Sequence, residues 1–279
     1  MAVLQKKIDF ALVFTVKNAN PNGDPLNGNI PRLTLDGHGE LSDVCLKRKI
    51  RNRLLEFGEN IFVQSDDYRK DEFKSLKARA DSVLKDVAKD KEKYQKLACQ
   101  TWIDVRSFGQ VFAFKGNDLS VGIRGPVTIQ SAFSVDTVNV TSLQITKSVN
   151  SEDKDGKKAS DTMGMKHRVD FGLYTTFGSI NPQLAELTGF SDEDADKIKN
   201  ALLHIFDNDA SSARPEGSME IVALYWWVHS SKAGQYSASK VHRTLEITRK
   251  DGVIDAKSVE DYNIRTNDLG GLIPEVLTF

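Results

Sequence analysis

The sequence predicts an α+β domain, a sheet packed with capped helices and carrying two insertions, and three observations predict it. Residues 8–17 alternate, with Ile8, Phe10, Leu12, Phe14 and Val16 on one face, the period of a half-buried strand. Ser42 opens an amphipathic helix that Gly58 stops. Two polar stretches, 66–98 and 150–160, interrupt the apolar pattern without ending it.

After the first strand, Asn20-Pro21-Asn22-Gly23-Asp24-Pro25 cannot continue a ladder, because proline lacks the donor and glycine supplies positive φ. A loop to about residue 40 follows. The helix from Ser42 carries Leu46, Ile50, Leu54 and Phe57 at helical spacing, a stripe that must face the core. Residues 66–98 keep a helical period through Phe73, Leu76, Ala80, Val83, Val87, Tyr94 and Leu97 and read as one or two solvated helices in an inserted subdomain. Strands are expected at 111–114, 121–133 and 138–145, then at 168–177, with the 150–160 stretch as a polar tip between the last two, so that the whole forms a projecting β-hairpin. Ser191 caps a helix with Ile198, Leu202 and Ile205 on its buried side. Strands at 219–229 and 244–248 follow, and the remainder reads as irregular.

The 279 residues carry a net charge of −1, so any binding of a polyanion must be local rather than driven by a whole-protein field. With 39% hydrophobic residues the chain can bury a core. Cys45 and Cys99 form no paired motif, which fits a reducing compartment, and no apolar run is long enough for export or a bilayer; a cytoplasmic protein with no membrane partner is expected.

The positive charge is concentrated. Lys47, Arg48, Lys49, Arg51 and Arg53 fall within seven residues with only Asp43 nearby. A charged helix is ordinarily just a solvated face, but uncompensated repulsion among five cations implies an anionic partner. Arg106, Phe108, Gln130 and Ser131, with Gln110 and Arg124, add cations, amides and an aromatic, the mixture that grips phosphates and bases of single-stranded RNA. Met163 and Met165 are most simply core or gap-filling methionines, but beside a polar tip with little core to fill a wedge against bases is the alternative, and His167 and Arg168 are read as RNA contacts ahead of catalysis. No metal-ligand spacing, nucleophile motif or phosphate loop is present, so no catalytic residue, metal or cofactor is assigned.

Five stretches in order, 18–32 (N-A-N-P-N-G-D-P-L-N-G-N-I-P-R), 42–53 (S-D-V-C-L-K-R-K-I-R-N-R), 104–114 (D-V-R-S-F-G-Q-V-F-A-F), 125–133 (G-P-V-T-I-Q-S-A-F) and 167–182, resemble a known family. It is the backbone subunit of Cascade, the type I CRISPR surveillance complex of the RAMP superfamily, most closely its subtype I-C form. The resemblance implies one RRM-like (ferredoxin-like) palm over 1–279, with helical fingers at 58–104 and a β-hairpin thumb at 134–170. It implies a non-enzymatic RNA-binding subunit whose copies stack along a CRISPR RNA, meet other Cascade subunits and present the guide for pairing with target DNA. The family's basic helix falls on Ser42, Lys47, Arg48 and Arg51, Arg32 joins from the loop, and the thumb methionine falls on Met163 or Met165. Two readings stand beside it: a RAMP-type ribonuclease using His167 or Asp24 to process CRISPR RNA or cut target RNA, and a self-assembling protein whose basic ridge binds something other than RNA.

Overall fold

The structure is a computed structural model that describes residues 2–114, 120–146 and 163–278. β1 (Ile8–Ala19) leads into a two-rung ladder of β2 (Gly23–Asp24) and β3 (Ile30–Pro31), then β4 (His38–Leu41) and α1 (Asp43–Glu56). The helices α2 (Leu76–Leu84), α3 (Lys91–Thr101) and α4 (Ile103–Phe108) follow. Next come β5 (Gly109–Phe112), β6 (Val121–Arg124), β7 (Val127–Ile129), β8 (Ala132–Thr137), β9 (Val140–Thr146) and the long β10 (Met163–Ile180). The chain continues through α5 (Pro182–Thr188), α6 (Asp192–Leu203), β11 (Met219–Val228), α7 (Ala238–His242), β12 (Leu245–Arg249), β13 (Tyr262–Thr266) and β14 (Glu275–Thr278).

Eight of the described strands form a large antiparallel sheet in the order β14-β11-β1-β10-β8-β4, with β7 and β9 also paired to β10, while β2/β3, β5/β6 and β12/β13 are separate two-stranded ladders. Its two long inner strands run side by side from Ile8 opposite Ile180 to Ala19 opposite Val169. Close approach at this seam needs glycine: a Cβ on Gly178 would lie 2.1 Å from the Phe10 ring. On one face Phe10, Leu12 and Phe14 pack with Leu46, Ile50 and Leu54 of α1 and Ile198 and Leu202 of α6.

The other face is covered as well. Ala11, Val13, Leu173, Tyr225 and Trp227 are buried under Val241, Leu245 and Tyr262. The half-buried reading of β1 is therefore corrected, because the chain after β11 folds back over the sheet. That same segment, expected to be irregular after residue 248, holds β13 and β14. The run read as a strand over 121–133 is three pieces, β6, β7 and the start of β8, since Pro126 cannot donate to a ladder.

The polar 66–98 stretch builds a small core of its own instead of only solvated helices. Phe62, Ala80, Leu84, Tyr94, Trp102 and Phe112 are buried together, with the Phe62 ring 4.8 Å from Trp102 and 4.9 Å from Phe112. Ser42 caps α1 as expected, its Oγ accepting from the Cys45 N–H at 3.2 Å. Phe57, expected on the buried stripe, lies at the C-cap and is 44% exposed, because the helix ends one residue before it. The expected hairpin is β9 against the outer half of β10, Val140 opposite Val169 to Thr146 opposite Met163. Its 150–160 tip lies outside the described residues.

A buried carboxylate ties the sheet's inner strands together. Asp9 accepts from Lys7 Nζ at 2.7 Å, Ser179 Oγ at 2.5 Å and His229 Nε2 at 2.8 Å. The His229 Nδ1 accepts from the Gln235 N–H, which leaves the ring proton on Nε2 for Asp9. Burial alone would push the Asp9 carboxyl up, but the donors from His229, Lys7 and Ser179 outweigh it and hold it below its ordinary 3.8. Replacing Asp9 by Asn should cost about 3–5 kcal/mol at neutral pH, since it strips a buried set of donors of its charge. A carboxylate with a depressed native pKa stabilises fully above its unfolded value and loses that contribution as pH falls through the native one. The stability gap between parent and Asp9→Asn, read by denaturant titration, should hold above 3.8 and close below it; a gap that persists in acid contradicts this.

Candidate nucleic-acid interface

The turn cluster folds back onto the amino end of α1. Asn20 Nδ2 donates to the Asn29 carbonyl at 2.7 Å, closing the loop. Asn22 Oδ1 accepts from both the N–H and the Oγ of Ser42, each at 3.0 Å. From the β7–β8 junction, Ser131 Oγ accepts from the Asp43 N–H at 3.3 Å. Arg32 is held in the loop by Asp24 at 3.3 Å and by its own N–H on the Asn22 carbonyl. The fold thus brings Arg32, Ser42 and Ser131 together around one helix end, with Gln130 exposed next to Ser131. Of the first three amides of α1, those of Asp43 and Cys45 are engaged by Ser131 and Ser42, and that of Val44 has no partner among the described residues. Helix-end amides and a cation beside them favour an anion.

The five-cation ridge is corrected. Lys49 is buried and paired with Asp209, Arg53 is buried and paired with Glu56, and Arg51 meets Asp104 at 3.0 Å. Lys47 reaches back one turn to Asp43 at 2.9 Å. Burial pushes the Lys49 ammonium below the usual lysine range, against the pull of Asp209. Repulsion among the cations is therefore compensated, by carboxylates that the chain brings from as far as 160 residues away. Arg48 is exposed and has no ion-pair partner among the described residues.

Two further expected contacts are also committed to the fold. Arg106 makes a bidentate pair with Asp194, Nε to Oδ2 at 2.9 Å and Nη2 to Oδ1 at 2.7 Å, and so locks α4 to the capping box of α6. Phe108 is half-buried against the main core, with the Arg51 guanidinium 5.1 Å over its ring. Arg51 itself closes a cluster in which buried Asp104 also accepts from the N–H groups of Phe62 and Val63. Arg51, Arg106 and Phe108 join helices together and do not face an open surface; one-letter spacing cannot reveal Asp104 and Asp194 as their partners.

The remaining expected contacts lie on the β9/β10 ribbon. Met163 and Met165 are 60% and 55% exposed. His167 Nδ1 is 2.7 Å from Ser142 Oγ, and Gln144 Nε2 is 2.8 Å from the Met163 sulfur. Strand alternation puts Met163, Met165 and His167 on one face and Arg168 on the other, so the four do not form a single patch. Asp24 is engaged by Arg32 and the Leu26 N–H, and His167 by Ser142. Among the described residues no group of three His, Cys, Asp or Glu side chains is placed to hold a metal ion, and no helix is long and apolar enough to cross a membrane.

Comparison with known proteins gives a consistent set of relatives. Residues 6–267 match the family described as CRISPR-associated protein Cas7. A CRISPR-associated protein Cas7 of Haloferax volcanii is 24% identical over 283 aligned residues, spanning 94% of this chain and 81% of the relative. Among solved structures, a chain of a CRISPR RNA-guided surveillance complex in a pre-nicking state is similar with a TM-score of 0.50 at 15% identity, over 79% of this chain and 78% of that one. A second CRISPR RNA-guided surveillance complex gives a TM-score of 0.48 at 17% identity, over 89% and 78%.

The division of cations into buried and open ones is measurable without RNA. Arg51→Ala should cost about 3 kcal/mol, because it leaves Asp104 buried with its two amide donors but no counter-charge. Arg48→Ala should stay within about 0.5 kcal/mol of the parent. Equal destabilisation by both, in urea titration, would refute the division.

Proposed function

This chain belongs to the CRISPR-associated Cas7 family, and on that premise we propose that it is a non-catalytic, RNA-binding backbone subunit of a type I-C-like Cascade. Its copies oligomerise along a CRISPR RNA, together with other Cascade subunits, and present the guide for pairing with invading DNA. In this reading the sheet is an RRM-like palm, 58–104 the fingers and 134–170 the thumb. The RNA backbone runs past the amino end of α1, touching Arg32, Ser42, Lys47, Arg48, Gln130 and Ser131. Met163, Met165 and His167 press on bases from one face of the ribbon, and Arg168 meets the backbone at its root.

The observation that carries the reading is the open amino-terminal part of α1, where the exposed Val44 amide and, one turn on, the exposed Arg48 guanidinium have no partner among the described residues. These groups suit phosphate oxygens and supply no set of base-edge contacts, so they bind backbone without reading sequence. Base stacking on the sheet is disfavoured, because Tyr225 and Trp227 are buried and stacked on each other at 6.0 Å. That favours, in this reading, an RNA path along the helix end and the ribbon over one across the palm.

Binding to several unrelated single-stranded RNAs should be of similar strength, and Arg48→Ala should weaken all of them and flatten the salt slope by about 0.7 log unit per log unit of salt, one phosphate contact. The bound RNA should stay intact with or without divalent metal. An unchanged salt slope would contradict the site, and cleavage abolished by Asp24→Ala or His167→Ala would replace the scaffold with a RAMP-type ribonuclease.

A further inference from the structure

At the root of the β9/β10 ribbon, the sheet and the segment that covers it part to leave a cleft of about 460 Å³, within the usual range of small-ligand sites. The sheet side supplies Lys17 near the end of β1, Phe171 on β10 and Asn139 from the β8–β9 junction, and the cover supplies Arg249, Asp255 and Lys257. Asp170 also lines the cleft, and strand alternation puts it with Arg168 on the ribbon face away from Met163, Met165 and His167. The cleft therefore opens on the side away from the methionines.

Its charged groups divide into paired and free. Asp136 accepts from the Tyr262 hydroxyl at 2.9 Å with Arg249 Nε 3.9 Å away, and Asp170 accepts from Thr141 Oγ1 at 2.7 Å and lies 3.7 Å from Arg168 Nε. The two carboxylates nearest the sheet are thus engaged and are weak obstacles to an anion. The ammonium groups of Lys17 and Lys257 are on exposed residues and have no partner among the described residues. The same holds for the Asp255 carboxylate and the Asn139 side-chain amide. Phe171 is half-buried against the core beneath the cover, so its position is fixed while part of it remains open to the cleft.

Two free cations, an aromatic ring and free hydrogen-bonding groups call for a ligand with an anionic end, a flat apolar body and polar edges. A nucleotide has all three: a phosphate for Lys17 and Lys257, a base for Phe171, and base-edge N–H groups for Asp255 and Asn139. We infer that this cleft binds a free nucleoside monophosphate. A strand that follows the methionine face passes on the other side of the ribbon, so the ligand is a single nucleotide and not a unit of the bound RNA. The site stands apart from the scaffold reading, since a chain that bound no RNA would keep it. Bound there, the nucleotide joins the ribbon root at Asn139 to the cover at Asp255 and Lys257.

Isothermal titration of the full chain with AMP tests it. AMP should bind one to one, and more tightly than either ribose 5-phosphate, which lacks the base, or adenosine, which lacks the phosphate. No binding of AMP at millimolar concentration, or ribose 5-phosphate binding as tightly as AMP, overturns the proposal. Lys17→Ala and Lys257→Ala should each weaken AMP binding by about tenfold, the loss of one charge-assisted hydrogen bond, and both positions are exposed enough to leave the fold intact. Unchanged affinity in both lysine variants places the nucleotide elsewhere and overturns the site. Phe171→Leu should narrow the preference for AMP over ribose 5-phosphate by about fivefold or more; circular dichroism checks its fold, and the lysine variants decide the matter if it unfolds. A short single-stranded RNA added to the parent should leave AMP affinity as it was, and displacement of AMP by that RNA assigns the cleft to a strand and overturns the free nucleotide. A parent that binds AMP but no RNA removes the scaffold reading and leaves this site standing.

Discussion

The long strand β10 sets the geometry of everything else. Its inner half is paired on both sides, with β1 on one and β7 and β8 on the other, while its outer half pairs with β9. A continuous strand transmits direction, so the ribbon that presents Met163, Met165 and Lys166 is aimed by the packed seam of Phe10 against Gly178 and by the Asp9 cluster at the far end of the same strands. Moving the ribbon therefore requires bending a strand whose other half is core. The covering of both sheet faces follows from the same centrality.

Electrostatics act here by selection. Four of the five cations of α1 neutralise carboxylates, and the pairs do mechanical work: Lys49 holds the segment around Asp209, Arg51 holds the small helical core through Asp104, and Arg53 and Lys47 brace their own helix. Buried ion pairs contribute little net stability against apolar packing but are costly to break, which makes them devices of position. A chain with a net charge of −1 can then leave Arg48, alone among the α1 cations, and a helix end open for a polyanion without a general attraction to nucleic acid.

The local structure of α1 was legible because it is written in consecutive residues: a Ser42 cap, the Leu46, Ile50 and Leu54 stripe, and Gly58 as the stop. The fate of its cations was not, since Asp104 and Asp209 are sequence-distant and reach the helix only through the fold. β11 announced its double burial by a nearly unbroken apolar run, whereas β1 concealed it behind Asp9 and Thr15, because the buried Asp9 is satisfied by three donors. β13 and β14 escaped notice because each is short and flanked by polar residues. The sequence placed the methionines on a hairpin, but only the pairing of β9 with β10 separates Met163, Met165 and His167 from Lys166 and Arg168.

The central claim is that RNA follows the amino end of α1 and the methionine face of the ribbon and avoids the sheet. Photocrosslinking of the assembled protein to RNA bearing 4-thiouridine, with the adducts mapped by mass spectrometry, tests it most directly. Adducts are predicted in 42–48, at Gln130 and Ser131, and in 163–167. Adducts concentrated instead on the β11 aromatics Tyr225 and Trp227, or on the 238–272 segment that covers them, would contradict the account.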